Sequence, residues 1–273
     1  MKKNPVIGVF DSGFGGLTVL RALLSHIPHA RYAFLGDTAR LPYGSKSRRT
    51  IARYAAESGQ FLVREQGAEY LVIACNTASA LALDAIQDAV PVPVLGVIEP
   101  GAASARVASR SGDVLVIATD ATVQSHAYAA ACRALGLRAL EKACPLLVPL
   151  VEEGWTQHPV TAEVIGIYLD ELLHQAAAEG MSADTLVLGC THYPLLRPLI
   201  AAAVPKGMRV IDSAEATAEA AARLFHQDET QQGSPAAQAI RCFATDSVEK
   251  FERLGSRFLE QPVGHVELVD LGG

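Results

Sequence analysis

The sequence predicts an α/β protein built from doubly wound parallel sheets. Two observations lead to this fold class. Short segments rich in Val, Ile and Leu alternate along the chain with segments of helical periodicity, as expected when helices cover both faces of a parallel sheet. In addition, the 273 residues of the chain suffice for about two domains at roughly 150 residues each.

The predicted strands are short, and several are almost continuously apolar. In chain order they are Val6–Phe10, Arg31–Leu35, Tyr70–Ala74, Val92–Val97, Val114–Ala118, Thr185–Gly189 and Arg209–Ile211. A continuous apolar run is typical of a strand that is buried on both faces. Doubly wound sheets bind ligands beyond the carboxyl ends of their strands, so the residues directly after each strand are the candidates for function.

Between the strands, the spacing of apolar and small residues predicts helices. One helix is indicated by residues at intervals of three and four, namely Ile51, Tyr54, Ala55, Ser58, Phe61 and Leu62. Asp212 followed by Glu215 resembles a capping box and predicts a helix that runs to about His226. The polar segment Gln231–Gln238, which contains Gly and Pro, predicts a linker to a C-terminal unit near Ile240–Val269.

Composition excludes several classes of protein. With a net charge of −6, nothing indicates a nucleic-acid-binding surface. The apolar run Val6–Phe10 stops at Asp11 and is too short for a secretory signal. No apolar stretch approaches the ~20 residues of a membrane helix, so a soluble, cytoplasmic protein is expected. The five cysteines include no Cys-x-x-Cys pair, which favours free thiols over disulfides or a zinc site.

Two segments resemble each other closely enough to suggest an internal repeat. Glu69–Thr77 and Asp184–His192 each contain an acidic residue, an apolar strand and a cysteine followed by polar residues. Upstream of each lies a strand that ends in acidic and hydroxyl residues, Asp11–Ser12 and Thr119–Asp120, at similar separations from the cysteine (75 − 11 = 64 and 190 − 120 = 70). Two related domains would place the two cysteines across one cleft, although any two βα units share much of this pattern.

Cys75 and Cys190 are predicted to carry the chemistry. Each follows a strand, and Cys75 is followed by Asn76 and Thr77, polar neighbours that an inert core cysteine would rarely have. A helix predicted to begin near Thr77 would stabilise the thiolate of Cys75 and lower its pKa from about 8.5. The other cysteines lack such neighbours and are predicted to be structural: Cys132, Cys144 and Cys242.

His192 is interpreted as an acid/base partner of Cys190. The two residues have the spacing of a metal-binding pair, but no second pair completes a set of four ligands. Asp11 opens a turn with three glycines and would repel a phosphate, so it is interpreted as a proton-transfer partner or as an anchor for a substrate ammonium group. The turn Pro42–Gly44 lies over the same cleft in one interpretation and is a plain loop in the other.

Two thiols on opposite faces of a carbon acid suit a two-base proton transfer with inversion. One thiolate removes a proton and the opposite thiol delivers another, and the pKa of a thiol can be tuned close to the operating pH. The usual alternative is a pyridoxal phosphate Schiff base, which needs a lysine in the site. No lysine lies in the strand-end motifs, so pyridoxal phosphate is not expected. The sequence therefore predicts a site without a cofactor, and the missing second ligand pair argues against a metal.

Together, these motifs resemble the glutamate racemase family. They occur in the family order as Phe10–Gly16, Asp37–Gly44, Ala74–Ala78, Val148–Glu152 and Leu188–Pro194. The resemblance implies a cofactor-independent isomerase that interconverts L- and D-glutamate and supplies D-glutamate for peptidoglycan synthesis. It also implies two flavodoxin-like domains related by pseudo-symmetry, with the active site in the cleft between them, and a homodimer.

The resemblance further implies residue roles and domain bounds. Cys75 would act on D-glutamate with help from Asp11, and Cys190 on L-glutamate with help from Glu152 and His192. The implied substrate-binding residues are Asp11, Ser12, Tyr43, Gly44, Asn76, Thr77, Thr122, Thr191 and His192. Residues 1–98 and 210–273 would form one domain, and residues 99–209 the other.

Three other functions fit the same residues. An aspartate racemase, or another racemase of the same superfamily, would share the chemistry and differ in its side-chain pocket. A cysteine hydrolase would use one thiol as the nucleophile and His192 as its base. A two-domain amino-acid-binding protein would retain its ligand without turnover.

Overall fold

The computed structural model describes residues 5–226 and 240–272. These residues form two compact units. The chain leaves the first unit after Val97 and returns to it after Ser213. The linker predicted at Gln231–Gln238 lies outside the described residues. None of the described helices combines the length and the apolar character needed to cross a membrane.

Strands and helices alternate along both units. The strands are β1 (Val6–Asp11), β2 (Arg31–Gly36), β3 (Tyr70–Ile73), β4 (Val94–Gly96), β5 (Asp113–Ala118), β6 (Arg138–Ala143), β7 (Thr185–Gly189), β8 (Arg209–Asp212), β9 (Ile240–Ala244) and β10 (Val266–Leu268). The helices are α1 (Leu17–His26), α2 (Arg48–Arg64), α3 (Asn76–Leu81), α4 (Leu83–Ala89), α5 (Ile98–Ala108), α6 (Asp120–Ser125), α7 (Ala127–Ala134), α8 (Leu147–Glu152), α9 (Pro159–Ala178), α10 (Arg197–Ala203), α11 (Ser213–His226) and α12 (Val248–Leu259). Short 3₁₀ helices span Thr38–Arg40, Tyr43–Ser45 and Tyr193–Leu196.

The two sheets share a strand order. The first runs β10-β9-β2-β1-β3-β4 and the second runs β6-β5-β7-β8, and all their described strand pairs are parallel. Numbered within its own unit, each sheet therefore contains the order 2-1-3-4. The α/β class predicted from the sequence is confirmed, and the internal repeat is visible in the topology. In each unit the first strand lies between the second and the third, at the switch point where doubly wound sheets bind ligands.

Burial explains which strands the sequence pattern reveals. All residues of β1 and β7 are buried, and both strands are the apolar runs expected of a sheet covered on both faces. By contrast, β6 is an edge strand whose residues are mostly half-buried, and its sequence Arg-Ala-Leu-Glu-Lys-Ala carries charges. Continuous apolarity does not identify such a strand, so the apolar pattern of the sequence does not predict β6.

The point at which the chain returns to the first unit is consistent with the pairing of β8. The boundary expected between residues 209 and 210 falls within β8. That strand pairs with β7, so it belongs to the second sheet, and the chain returns to the first unit after it.

The C-terminal segment extends the first sheet. β9 pairs with β2, and β10 pairs with β9, so the C-terminal unit near Ile240–Val269 is part of the first sheet. Helix α12 buries Phe251 and Phe258, whose rings lie 6.3 and 5.9 Å from the ring of Phe14. Because Phe14 belongs to the glycine-rich turn after β1, the C-terminal segment packs against a turn that carries candidate site residues.

Candidate active site

The site residues predicted from the sequence are divided between the two units. Cys75 follows β3, which pairs with β1, and Cys190 follows β7, which pairs with β5. Each cysteine therefore lies at the switch point of its own sheet. The first unit contains Asp11, Ser12, Tyr43, Gly44, Cys75, Asn76 and Thr77, and the second contains Thr122, Glu152, Cys190, Thr191 and His192.

Cys75 is buried at the N-terminus of α3, with 5% of its surface exposed. Its Sγ accepts the backbone N–H of Ala78 at 3.4 Å and lies 3.4 Å from Oγ of Ser12. Asn76 and Thr77 form the first turn of the same helix and are also buried. This thiol is thus enclosed by polar groups from the ends of β1 and β3.

The pKa of Cys75 is raised to about 12, first because burial disfavours the thiolate and second because the carboxylate of Asp11 lies nearby. Hydrogen bonds from Ser12 and Ala78 act in the opposite direction. The N-terminus of α3 does act to lower this pKa, through the N–H of Ala78, but the expected net lowering is wrong because burial and Asp11 outweigh it. Helix α3 has only six residues, and the loss of hydration around a buried thiolate outweighs its dipole. At neutral pH, Cys75 carries its proton and can donate it.

Asp11 is held in place by the glycine-rich turn. The carboxyl group is buried, and its Oδ2 accepts the backbone N–H of Gly13 at 3.0 Å. A Cβ atom on Gly16 would lie 2.6 Å from Cβ of Asp11 and 2.8 Å from Cβ of Ala74. The absence of a side chain at Gly16 therefore allows the turn to approach the ends of β1 and β3, where it encloses a carboxylate.

Tyr43 fixes the turn that follows β2. Its hydroxyl donates to Oδ2 of Asp37 at 2.5 Å, and its ring lies 6.2 Å from that of Phe10. Only 1% of the Tyr43 surface is exposed. Because the Tyr43 hydroxyl donates its proton to Asp37, the groups of Tyr43 and Gly44 that can bind a ligand are those of the backbone.

In the second unit, the side chains of His192 and Glu152 lie close to Cys190. Sγ of Cys190 lies 3.9 Å from Nδ1 of His192, and Nε2 of His192 lies 3.4 Å from Oε1 of Glu152. The thiol, the imidazole and the carboxylate thus form a chain of three groups. Glu152 ends α8, whereas the neighbouring Glu153 is exposed.

Two neighbours keep His192 protonated. Burial acts to lower its pKa, but the sulfur of Cys190 and the carboxylate of Glu152 raise the pKa to about 10. Because the pKa in the folded state exceeds the usual value of 6.5, this group stabilises the fold fully below about pH 6.5, and the stabilisation is lost as the pH rises through about 10. At neutral pH an imidazolium therefore lies between the sulfur and the carboxylate.

Similarity to known proteins extends over almost the whole chain. A model of the Asp/Glu/hydantoin racemase family matches residues 17–221. The chain belongs to this family. A glutamate racemase of Koribacter versatilis is 52% identical over 100% of this chain and 99% of the relative, and one of Geobacter metallireducens is 43% identical over 97% and 96%. The resemblance seen in the motifs is confirmed.

Solved structures show the same relationship. Glutamate racemase from Francisella tularensis, in complex with D-glutamate, is 34% identical with a TM-score of 0.88 and covers 99% of both chains. The enzyme from Thermus thermophilus, in complex with beta-chloro-D-alanine, is 40% identical with a TM-score of 0.86 and the same coverage. An aspartate racemase from Picrophilus torridus is 18% identical with a TM-score of 0.57 over 81% of this chain and 94% of its own, and shares the fold.

Removing the negative charge of Glu152 should lower the pKa of His192. In Glu152→Gln, we expect this pKa to fall from about 10 by roughly 1–3, the usual effect of one nearby opposite charge. The pKa is measured from the imidazole NMR signals of His192 as a function of pH. The exposed neighbour provides the control, since Glu153→Gln should leave the titration unchanged. An unshifted pKa in Glu152→Gln would contradict the assignment of Glu152 as the partner of His192.

Other buried polar residues of the second unit lie near the ends of its strands. Thr122 is fully buried in α6, and its hydroxyl lies 3.0 Å from that of Thr119 at the end of β5. Thr191 is buried beside Cys190. Tyr193, which is not among the predicted site residues, donates its hydroxyl to the carbonyl of Cys144 at 3.0 Å. This bond ties the loop after β7 to the loop after β6, and a buried tyrosine in sequence looks like any core aromatic residue.

The other three cysteines are buried thiols. Burial raises the pKa of Cys132 to about 11 and the pKa values of Cys144 and Cys242 to about 12. Within the described parts of the chain, no group of three or more His, Cys, Asp or Glu side chains could hold a metal ion.

Proposed function

We propose that the chain is a glutamate racemase, which interconverts L- and D-glutamate by a two-base thiol mechanism without a cofactor. The observation that carries this proposal is the equivalent placement of two buried thiols. Cys75 and Cys190 follow the third strand of two sheets that share one strand order. The choice of glutamate is supported by relatives of that activity that are 52% and 43% identical to the chain.

We assign each thiol to one face of the α-carbon. From L-glutamate, the Cys190 thiolate removes the α-proton, and the Cys75 thiol donates its own proton to the opposite face of the carbanion. The raised pKa of Cys75 supports this role, because the thiol carries the proton that it must deliver. From D-glutamate the roles are exchanged: the Cys75 thiolate removes the α-proton, and the Cys190 thiol delivers a proton to the opposite face. Asp11 forms the Cys75 thiolate by accepting its proton, while His192, held by Glu152, donates a proton to Cys190.

The remaining polar residues are assigned to the substrate. Ser12, Asn76, Thr77, Thr122 and Thr191 offer hydroxyl and amide groups, and Tyr43 and Gly44 offer backbone groups. All of them lie at or near strand ends of the two sheets. Such neutral donors can bind the two carboxylates of glutamate and orient its α-carbon for proton transfer.

Incubation with L-glutamate in D2O, without added pyridoxal phosphate, tests the function. We expect D-glutamate that carries solvent deuterium at the α-carbon, detected by chiral chromatography and by loss of the α-proton NMR signal. In early turnover the deuterium should appear in the D product ahead of the L substrate, because two different groups remove and deliver the proton. Absence of D-glutamate would contradict the proposal, and faster turnover of aspartate would favour an aspartate racemase.

A hydrolase is less well supported than a racemase. It needs one nucleophilic thiol and gives no reason for a second thiol at the equivalent position of the other unit. Mass spectrometry of the chain after exposure to glutamate esters would detect the acyl adduct that a hydrolase forms.

We further propose that the enzyme is cytoplasmic, acts as a homodimer and supplies D-glutamate for peptidoglycan. Support for the dimer comes from the family resemblance, and sedimentation of the purified chain at micromolar concentration measures it.

A further inference from the structure

A buried group of hydrogen bonds lies behind the turn that carries Tyr43 and Gly44. Its centre is Asp37, which follows β2 and is fully buried. Oδ2 of Asp37 accepts the hydroxyl of Tyr43 at 2.5 Å, and Oδ1 accepts the hydroxyl of Thr245 at 2.9 Å. Both carboxylate oxygens therefore have a donor, one from the turn and one from the C-terminal part of the chain.

Thr245 bridges two groups of the turn. It lies directly after β9, and its backbone N–H donates to the carbonyl of Gly36 at 3.2 Å. Its hydroxyl oxygen accepts the backbone N–H of Ala39 at 2.9 Å while its proton goes to Asp37. One threonine thus connects the 3₁₀ helix after β2 with the carboxylate that holds Tyr43.

The next residue strengthens the same connection. The backbone N–H of Asp246 donates to Oγ1 of Thr38 at 2.8 Å, and the Thr38 hydroxyl donates to the carbonyl of Asp246. The segment enters from β9, which pairs with β2 through Gly36 and Ala244. The sheet therefore sets the position of this segment, and the hydrogen bonds of the segment hold the turn in place relative to the sheet.

Arg40 belongs to this group as well. Its Nη1 lies 3.8 Å from Oδ2 of Asp37 and 2.7 Å from Oε2 of Glu57, and its guanidinium lies 4.3 Å from the ring centre of Tyr54. With 11% of its side chain exposed, Arg40 is engaged inside the first unit and balances the charge of Asp37.

We propose that Thr245 is a positioning residue of the substrate site, which acts through Asp37 to fix the turn that presents Tyr43 and Gly44. This inference rests on the proposed function, since Tyr43 and Gly44 are assigned there to the substrate. The turn packs near the reacting thiol, because Tyr43 and Cys75 belong to the same cluster of buried side chains.

The test compares Thr245→Val, which keeps the shape and removes the hydroxyl, with Thr245→Ser, which keeps the hydroxyl. Thr245→Val loses the hydrogen bond to Asp37 and the one from Ala39. We expect KM for glutamate to rise roughly tenfold, about the contribution of one hydrogen bond to a charged group, with kcat changed less than KM. Thr245→Ser should restore KM to nearly the wild-type value. A role in stability alone would lower Tm without this difference between KM and kcat.

Thr185 offers a matched control. Its hydroxyl donates to Oδ1 of Asp184 at 3.0 Å, and it is fully buried at the start of β7, the opposite end of the strand from Cys190. Thr185→Val therefore removes a similar bond, from threonine to aspartate, away from the strand ends that carry the site. We expect its KM to be unchanged.

A second variant covers the case in which Thr245→Val does not fold. Tyr43→Phe removes the other hydrogen bond to Asp37, and we expect it to raise KM in the same way. A wild-type KM in a folded Thr245→Val or in Tyr43→Phe, or a Thr245→Ser variant with the KM of Thr245→Val, would overturn the inference. If instead the native chain does not racemise glutamate in D2O, the proposed function itself fails, whatever the variants show.

Discussion

Replacing Cys75 by alanine is expected to abolish racemisation of glutamate, and Cys190→Ala is expected to do the same. Each thiol serves one face of the α-carbon, so neither can replace the other. We expect kcat to fall by at least about 10³-fold, within the range attributed to a positioned acid or base. Chiral chromatography of both reaction directions measures the loss.

The buried structural cysteines provide matched controls, one in each unit. Cys242 lies in β9 and Cys132 in α7, and both are almost completely inaccessible to solvent. Cys242→Ala and Cys132→Ala should retain racemisation, although each removes a buried thiol and costs some stability. Sustained racemisation by Cys75→Ala or Cys190→Ala would contradict the two-base mechanism while leaving the family membership intact.

Gly36→Ala should have the largest effect on stability. Gly36 is the last residue of β2, and a Cβ atom there would lie 2.1 Å from the carbonyl oxygen of Gly13 and 2.6 Å from Cε2 of Phe251. The first of these atoms is backbone and cannot rotate away. We expect the free energy of unfolding of the first unit to fall by about 3 kcal/mol, with a parallel loss of activity, as measured by urea unfolding.

A glycine in the middle of α9 serves as the control. A Cβ atom on Gly166 would meet no atom within 4 Å, and alanine is the better helix former by about 1 kcal/mol. Gly166→Ala should therefore leave stability unchanged or raise it slightly. If the unfolding midpoint of Gly36→Ala equals that of the wild type, the Gly13 carbonyl lies less close to Gly36 than these distances indicate.

The pKa of Cys75 shows where a local argument fails. A cysteine before a helix suggests a stabilised thiolate, and the helix is present. Yet the pKa is raised to about 12, because enclosure of the sulfur and the nearby charge of Asp11 act together. The second of these causes comes from the end of β1, more than sixty residues earlier in the chain (75 − 11 = 64).

The sequence by itself determined the fold class, the site motifs and the family. Apolar runs such as β1 and β7 identify buried strands because burial on both faces requires apolar residues at every position. The polar residues after those strands identify the candidate site, because parallel strands end at one edge of a sheet.

Only the tertiary structure decided how these parts contact one another. It placed Thr245 on Asp37, at a separation of 208 residues, and showed that β6 completes the edge of the second sheet. It also placed the carboxylate of Asp11 near the buried sulfur of Cys75, where burial and this charge together raise the pKa of the thiol. Burial leaves a periodic pattern in neighbouring residues, whereas hydrogen bonds between distant segments and the hydration of a single thiol depend on groups that meet only when the chain has folded.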